Sequence, residues 1–139
     1  GPGHGAIDGI CDKLGFTQAE RDAVIILSRV SEDELVAVYN LAWSLVFPTT
    51  YEGFGLPVIE AMACGTPVIS SDCSSIPEVA GDAAILLDPA GPQPWVDAIV
   101  ALQDDDARWQ ELRRLGLIQA ATMTWDRAAK QILSILAEG

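Results

Sequence analysis

Two glutamates and two glycines are the residues of this sequence best arranged for chemistry. Glu52 and Glu60 have seven residues between them, and Gly53 and Gly55 lie close behind the first glutamate. A carboxylate can accept two hydrogen bonds, so two of them can bracket a ligand rich in hydroxyl groups, such as the vicinal diol of a ribose. Glycine allows backbone conformations that a side chain forbids and a close approach to a ligand. The pattern therefore favours a ligand-binding loop.

The segment around these residues predicts a phosphate-binding turn. Thr49 to Ser70 runs from the end of one apolar run through a loop and a helix into the next. Ligands of parallel α/β sheets bind at this edge, outside the carboxyl ends of the strands. The amides around Gly55 and Leu56 would lie at a helix N-terminus, where free N–H groups favour a diphosphate. Glu60 is expected in the first turn of that helix.

A simpler interpretation of the two carboxylates stays open. Glu60 in a first turn would complement the helix dipole without any ligand, and Glu52 would be a solvated loop residue. The spacing of the glutamates alone does not separate these alternatives.

Short apolar runs that alternate with helical patterns predict a parallel α/β sheet that positions this loop. The runs expected to form strands are Ala23 to Ser28, Ser44 to Phe47, Pro67 to Ser70 and Ala84 to Leu87. Capping-box patterns beginning at Thr17 and Ser31 predict two helix starts, the second helix reaching about Ala42.

Further helices are predicted from apolar residues at helical spacing. They cover Ile7 to Leu14 before Gly15, a short helix between Pro77 and Gly81, and three C-terminal helices marked by Trp95, Trp109 and Trp125. Because these tryptophans recur at core positions, we expect them to pack in the interior and assign them no chemistry.

The charge balance excludes several partners. The chain has 20 acidic and 8 basic residues and a formal net charge of −12, which opposes binding to nucleic acid or to anionic membranes. No Lys or Arg occurs from Val30 to Ala107. An anionic ligand held there must be met by backbone N–H groups, by a metal, or by cations from elsewhere.

The cysteines and the single histidine argue against metal and hydrolase sites. Cys11, Cys64 and Cys73 lack C-x-x-C spacing, and His4 has no partner for a zinc site or a catalytic triad. An odd number of unpatterned cysteines indicates reduced thiols. We expect a cytoplasmic protein without a bound metal or cofactor.

The segment EGFGLPVIEAMACGTPV, Glu52 to Val68, closely resembles the Glu, seven residues, Glu motif of the group-one (family 4) retaining glycosyltransferases. The resemblance continues through Ser31 to Leu35, Ile76 to Pro89 and Thr124-Trp125. It implies the Rossmann-like C-terminal domain of a GT-B fold, a parallel sheet flanked by helices. It also implies transfer of a hexosyl-type sugar from a nucleoside diphosphate sugar with retention of configuration and without an obligatory metal.

The same resemblance implies roles for individual residues. Glu52 would be catalytic, contacting the donor sugar and stabilising the charge that develops near the reacting centre. Glu60 would hold the ribose hydroxyls, and Val30 would lie where family members bind the base. The loop backbone that meets the sugar hydroxyls and the diphosphate would be formed by Gly53, Phe54, Gly55 and Leu56.

Parts of the resembling domain have no match in this chain. In that family the domain opens with two further strands and a loop bearing an Arg and a Lys that meet the diphosphate, and a separate domain binds the acceptor. We therefore expect residues 1–139 to be a donor-binding domain truncated at its N-terminal end and inactive alone. The strands at Ala23 to Ser28 and Ser44 to Phe47 would then pair with each other, with a second copy, or with the missing N-terminal segment as a partner.

Two other functions stay open at this stage. A non-catalytic nucleotide-sugar-binding module would use the same loop, and nucleotide-sugar epimerases share the fold. The presence of both Glu52 and Glu60 favours a transferase, because a pure binding module has no evident need for the loop carboxylate. The sequence does not name the sugar, the base or the acceptor.

Overall fold

The computed structural model describes residues 4–124, 126–127, 129–130 and 133–134. The chain divides into two compact units, Gly1–Leu35 and Val36–Gly139.

The first unit is built from short helices with hydrogen-bonded starts. Helix α1 spans His4–Leu14 and α2 spans Gln18–Asp22, while α3, Glu32–Leu41, begins in this unit and continues into the second. Gly15 follows α1 with φ +70°, as the sequence predicts. Both capping boxes are confirmed: the N–H of Thr17 donates to Glu20 Oε2 at 2.7 Å, and the N–H of Ser31 donates to Glu34 Oε2 at 2.7 Å.

The second unit contains a three-stranded parallel sheet. Strand β1 is Leu45–Phe47, β2 is Val68–Ser71 and β3 is Ala84–Leu87, in the spatial order β1-β2-β3. The register pairs Val46 with Ile69, and Ile69 with Ile85. Three of the four predicted strands are therefore confirmed, each to within one residue at either end, and so is the α/β fold class.

The prediction of a strand at Ala23 to Ser28 is wrong. The segment is neither strand nor helix, and Ile25 is 83% exposed. A strand exists only where a neighbour accepts and donates its backbone hydrogen bonds, and in the described part of the chain the sheet pairs β1, β2 and β3 with one another only. An apolar, β-branched run gives a segment the tendency to form a strand but does not supply that neighbour.

Helices connect the strands as expected of β/α units. Helix α4, Leu56–Ala63, joins β1 to β2, and α5, Ile76–Ala80, precedes a short 3-10 helix that leads into β3. Helices α6, Gln93–Gln103, and α7, Asp106–Thr122, follow β3. Of the four residues that mark the last predicted helix, Ala129 is described and is helical. The other three, Trp125, Ile132 and Leu136, lie outside the described ranges.

One hydrophobic cluster joins the sheet to the C-terminal helices. Ile69 of β2 packs with Trp95 and Leu102 of α6 and with Leu112 of α7, all buried, while Trp109 packs partly buried against them. This confirms the predicted core position of Trp95. In the described part of the chain, no helix has the length and apolar character needed to cross a membrane.

Truncation of the core residue on α7 should destabilise the second unit. Leu112 is 1% exposed and Leu117, on the same helix, is 44% exposed. We expect Leu112→Ala to lower the free energy of unfolding by about 2–5 kcal/mol, because the cavity it leaves cannot fully close. Leu117→Ala, the matched control, should change it by no more than about 0.5 kcal/mol. Urea unfolding followed by tryptophan fluorescence measures both, and equal losses would contradict this account of the core.

Candidate functional site at the carboxyl edge of the sheet

The loop that follows β1 turns sharply at its first polar residue. The N–H of Thr49 donates to the carbonyl of Phe47 at 3.0 Å, and its hydroxyl donates to the carbonyl of Tyr51 at 3.1 Å. The N–H of Tyr51 in turn donates to the same hydroxyl oxygen at 3.3 Å. These local bonds carry the chain across the carboxyl edge of the sheet, where ligands of parallel sheets bind.

Glu52 is half-buried in this loop and is held at two points. Its Oε1 lies 3.3 Å from the Thr49 hydroxyl, whose single proton is shared between this oxygen and the Tyr51 carbonyl. Its backbone carbonyl accepts a hydrogen bond from the Ser75 hydroxyl at 3.3 Å. Ser75 is the residue before α5, yet its side chain makes no capping bond to that helix. Its hydroxyl is used instead to join the loop after β2 to the loop after β1.

A second bond between these two loops strengthens the junction. The thiol of Cys73 donates to the carbonyl of Thr49 at 3.5 Å. Ser74, between the two bonded residues, has φ +52°, a conformation that costs a non-glycine residue energy and persists only where its surroundings impose it. The loops after β1 and β2 therefore form one connected surface.

Gly55 is required where the loop enters α4. It has φ +91° and is buried, and a Cβ at this position would lie 2.7 Å from Cδ1 of Ile76. The left-handed backbone disfavours a side chain, and a Cβ would force the buried end of the Ile76 side chain to shift. The predicted role of this glycine in a tight loop is thus confirmed, although its contact with a ligand stays a prediction.

The N-terminus of α4 opens toward the same edge. Pro57 lies in the first turn and carries no N–H, and the N–H of Val58 already donates to the carbonyl of Gly55 at 3.0 Å. The amides that could meet a ligand are therefore those before Pro57. The side chains of Phe54 and Leu56 are exposed on either side of Gly55. The backbone expected to cradle a diphosphate is therefore at a helix start, as predicted, although Gly55 itself is buried.

The predicted position of Glu60 within the helix is wrong by one turn. Because α4 begins at Leu56, Glu60 lies in the second turn, and the first turn contains no acidic residue. The favourable effect of a helix dipole on a charge falls off beyond the first turn. The alternative in which Glu60 serves only that dipole loses its physical basis.

Glu60 is held instead by a tyrosine from another helix. The glutamate is an exposed residue, and its Oε2 accepts a hydrogen bond from the hydroxyl of Tyr39 at 3.2 Å. Burial of the phenol, and next the negative charge of Glu60, raise the pKa of Tyr39 to about 12. The phenol therefore remains a hydrogen-bond donor throughout the neutral range.

Tyr39 and Ser75 contact the two site glutamates, but the sequence does not predict either residue as part of the site. The spacing of Tyr39 indicates only an apolar position of α3. A signal was present, since a buried tyrosine hydroxyl nearly always has a hydrogen-bond partner. Ser75 has the residue type of a helix cap, and nothing in its neighbours along the chain indicates that it bonds to Glu52.

Val30 is the remaining predicted site residue. It lies in the first unit, outside any helix or strand, and is partly exposed. Glu52 and Glu60 belong to the second unit and have different partners there. The assignment of Val30 to the base stays a prediction.

An apolar groove of about 390 Å³ lies beside these loops but does not suit a charged ligand. Its lining residues carry no ionisable group and are Val46, Pro48, Pro89, Gly91, Pro92 and Trp95. Within the described ranges, no group of three or more histidine, cysteine or acidic side chains is placed to hold a metal ion. The loop around Gly55 is therefore the better candidate for a nucleotide.

The fold and the family of the chain follow from comparison with known proteins. A solved sucrose-phosphate synthase from Thermosynechococcus elongatus matches 95% of this chain with a TM-score of 0.80 and 28% sequence identity, so the GT-B resemblance is confirmed. A family model described as "Glycosyl transferases group 1" matches residues 6–105. The chain belongs to this family of glycosyltransferases.

Two similar proteins are named as glycosyl-transferring enzymes. The chain is 42% identical over 114 residues to an O-antigen chain mannosyltransferase B of Escherichia coli, covering 78% of this chain. It is 37% identical over 105 residues, 74% of its length, to a D-inositol 3-phosphate glycosyltransferase of Corynebacterium diphtheriae. The chain spans 28% and 25% of these two relatives and 33% of the solved synthase.

Substitution of Gly55 should reveal the contact that shapes the loop. We expect Gly55→Ala to lower the free energy of unfolding by about 2–4 kcal/mol, from its left-handed backbone and from overpacking against Ile76. Gly91→Ala is the matched control, because Gly91 has φ +85° but a Cβ added there would meet nothing within 4 Å. It should cost only about 1–2 kcal/mol.

Chemical denaturation of the two variants measures the difference. Ile76→Val removes the crowding Cδ1 atom, so adding it to Gly55→Ala should recover part of the loss. If both glycine variants lose equal stability, the approach of Ile76 imposes no constraint on the loop.

Proposed function

We propose that this chain is the donor-binding part of a retaining glycosyltransferase that moves a hexosyl-type sugar from a nucleoside diphosphate sugar to an acceptor. The observation that carries the proposal is the arrangement of one loop. Glu52 is held at the carboxyl edge of the sheet, the N-terminus of α4 opens at Gly55, and Glu60 is held one turn into that helix. These positions supply groups for the sugar, the diphosphate and the ribose in turn.

The diphosphate would be met first by backbone amides. The N-terminus of α4 offers N–H groups and the positive end of the helix dipole, which favour a phosphate. Since no Lys or Arg occurs from Val30 to Ala107, any side-chain cation that meets the diphosphate must come from outside this segment. Preorganised dipoles favour the negative charge that the leaving diphosphate gains in the transition state.

Glu52 would act on the donor sugar. The Thr49 hydroxyl lies 3.3 Å from its Oε1, and Ser75 donates to its backbone carbonyl, so Oε2 is proposed as the main oxygen for substrate. A glycosyl group about to be transferred develops positive charge near its anomeric carbon, which a held carboxylate stabilises. Glu52 is thus proposed as the catalytic residue, and no residue is proposed as a dedicated general base.

The relatives support the choice of a hexosyl-type donor. One is named a mannosyltransferase, another an inositol 3-phosphate glycosyltransferase, and the solved structure is a sucrose-phosphate synthase. This chain spans about a quarter to a third of each, so the acceptor is proposed to bind mainly to parts of the full protein outside the matched region.

Removal of the Glu60 carboxylate should weaken nucleotide binding. We expect Glu60→Ala to reduce the affinity of the chain for a nucleoside diphosphate by about 1.5–3 kcal/mol, because a hydrogen bond between ribose and a charged group is lost. Asp97→Ala, on the exposed face of α6, is a control for the change in net charge and should leave the affinity unaltered. Calorimetric titration with UDP, GDP and ADP tests this, and equal binding by parent and Glu60→Ala would refute the ribose role.

Substitution of Glu52 should act on the reaction rather than on donor binding. In the full-length enzyme, we expect Glu52→Gln to lower kcat by at least about tenfold with little change in KM for the donor, since its proposed interaction strengthens in the transition state. The variant keeps the size of the side chain and an acceptor for the Thr49 hydroxyl. A steady-state assay varying the donor measures both constants. An effect confined to KM would make Glu52 a ground-state sugar contact instead.

A further inference from the structure

The contact between Tyr39 and Glu60 joins a buried group to an exposed one. Tyr39 is 9% exposed, on α3, whereas Glu60 is exposed on α4. The Tyr39 hydroxyl reaches Glu60 Oε2 at 3.2 Å. Glutamate on a helix surface ordinarily samples several rotamers. A bond to a packed side chain reduces that freedom at one oxygen and leaves Oε1 as the second acceptor.

Tyr39 is itself fixed from the opposite direction. Its backbone carbonyl accepts a buried hydrogen bond from the Thr66 hydroxyl at 2.6 Å. The same carbonyl accepts a bond from the N–H of Ala42 at 3.1 Å at the end of α3. Because Thr66 lies between α4 and β2, the end of α4 and the tyrosine on α3 are linked. The backbone of Tyr39 is therefore anchored at this point, and its buried side chain donates to Glu60.

We propose that Tyr39 is a positioning residue that orients the Glu60 carboxylate to accept the vicinal hydroxyls of the nucleotide ribose. This inference rests on the proposed function, in which Glu60 holds the ribose. Accepting two adjacent hydroxyls requires a particular carboxylate plane, and a carboxylate already held in that plane loses less rotamer entropy when the ligand binds. Tyr39 itself does not touch the ligand in this arrangement.

The neutral hydroxyl of Tyr39 suits the positioning of Glu60 better than a cation would. A Lys or Arg paired with Glu60 would compete with the ribose for both oxygens, since these side chains carry several donors. Tyrosine has a single donor, and its raised pKa keeps that donor protonated. One oxygen is engaged and the charge of Glu60 remains available to the ligand.

The test compares ligands that differ only at the ribose. GDP and 2′,3′-dideoxy-GDP, with the UDP pair as a second set, are titrated against the parent chain, Tyr39→Phe, Glu60→Ala and the double variant. The measured quantity is the ratio of the two dissociation constants. Tyr39→Phe keeps the buried ring and removes only the hydroxyl. Leu112→Ala is the control, because it destabilises the core of the same unit and leaves Tyr39, Thr66 and Glu60 unchanged.

The expected result is a selective loss of ribose recognition. Tyr39→Phe should reduce the preference for the ribonucleotide by about three- to tenfold without weakening the dideoxy ligand, which corresponds to one ordinary hydrogen bond. Glu60→Ala should abolish most of the preference, and Tyr39→Phe should add nothing to it. Leu112→Ala should lower the melting temperature and keep the parental ratio.

Two outcomes overturn different claims. If Glu60→Ala loses the preference while Tyr39→Phe keeps the parental ratio, including when both ligands weaken equally, Tyr39 is structural and the inference is wrong. If the parent shows no preference, or Glu60→Ala retains it, the ribose role of Glu60 fails and the inference fails with it.

Discussion

The close approach of Gly55 to Ile76 is the constraint on which the site depends. It brings the start of α4 against the start of α5, at a distance that leaves no room for a Cβ atom. The loop before α4 can then reach the loop before α5, and the Ser75 hydroxyl meets the Glu52 carbonyl. The sequence predicts Gly55 as a flexible position near a ligand. The structure shows that its small size also allows α4 and α5 to pack closely. Its small size and its backbone conformation act together on the position of Glu52.

Parallel pairing explains which strands the sequence predicts correctly. The runs at Ser44 to Phe47, Pro67 to Ser70 and Ala84 to Leu87 follow one another with a helix between each pair, so each finds its neighbour within the same chain. The run at Ala23 to Ser28 has equally suitable residues but no paired neighbour in the described part of the chain. The residue types of a segment indicate its tendency to form a strand, whereas a sheet forms only when two such segments pair. That second condition is tertiary and is not visible in a local pattern.

The candidate site shows the same division between local and tertiary information. The turn at Gly55, the helix after it and the capping boxes depend on residues a few positions apart, and all can be predicted from the sequence. The helix turn occupied by Glu60 depends on where α4 begins, and such boundaries shift by one or two residues. The partners Tyr39 and Ser75 lie 21 and 23 residues from the groups they bond. Only the folded chain brings them together.

The acidity of the chain constrains how such a site can discriminate among ligands. A region without Lys or Arg gains little from the bare charge of a phosphate, and the net charge of −12 opposes the approach of any anion. In the proposed function, affinity then comes from oriented groups, namely amide dipoles for the diphosphate and carboxylates for hydroxyls. A carboxylate repels phosphate but accepts from a diol, so Glu52 and Glu60 penalise an inorganic phosphate that lacks a sugar or a ribose. In the proposed function, this arrangement favours the complete nucleotide sugar over its charged fragments. That preference depends on the neutral hydroxyl bonded to each carboxylate, Thr49 for Glu52 and Tyr39 for Glu60.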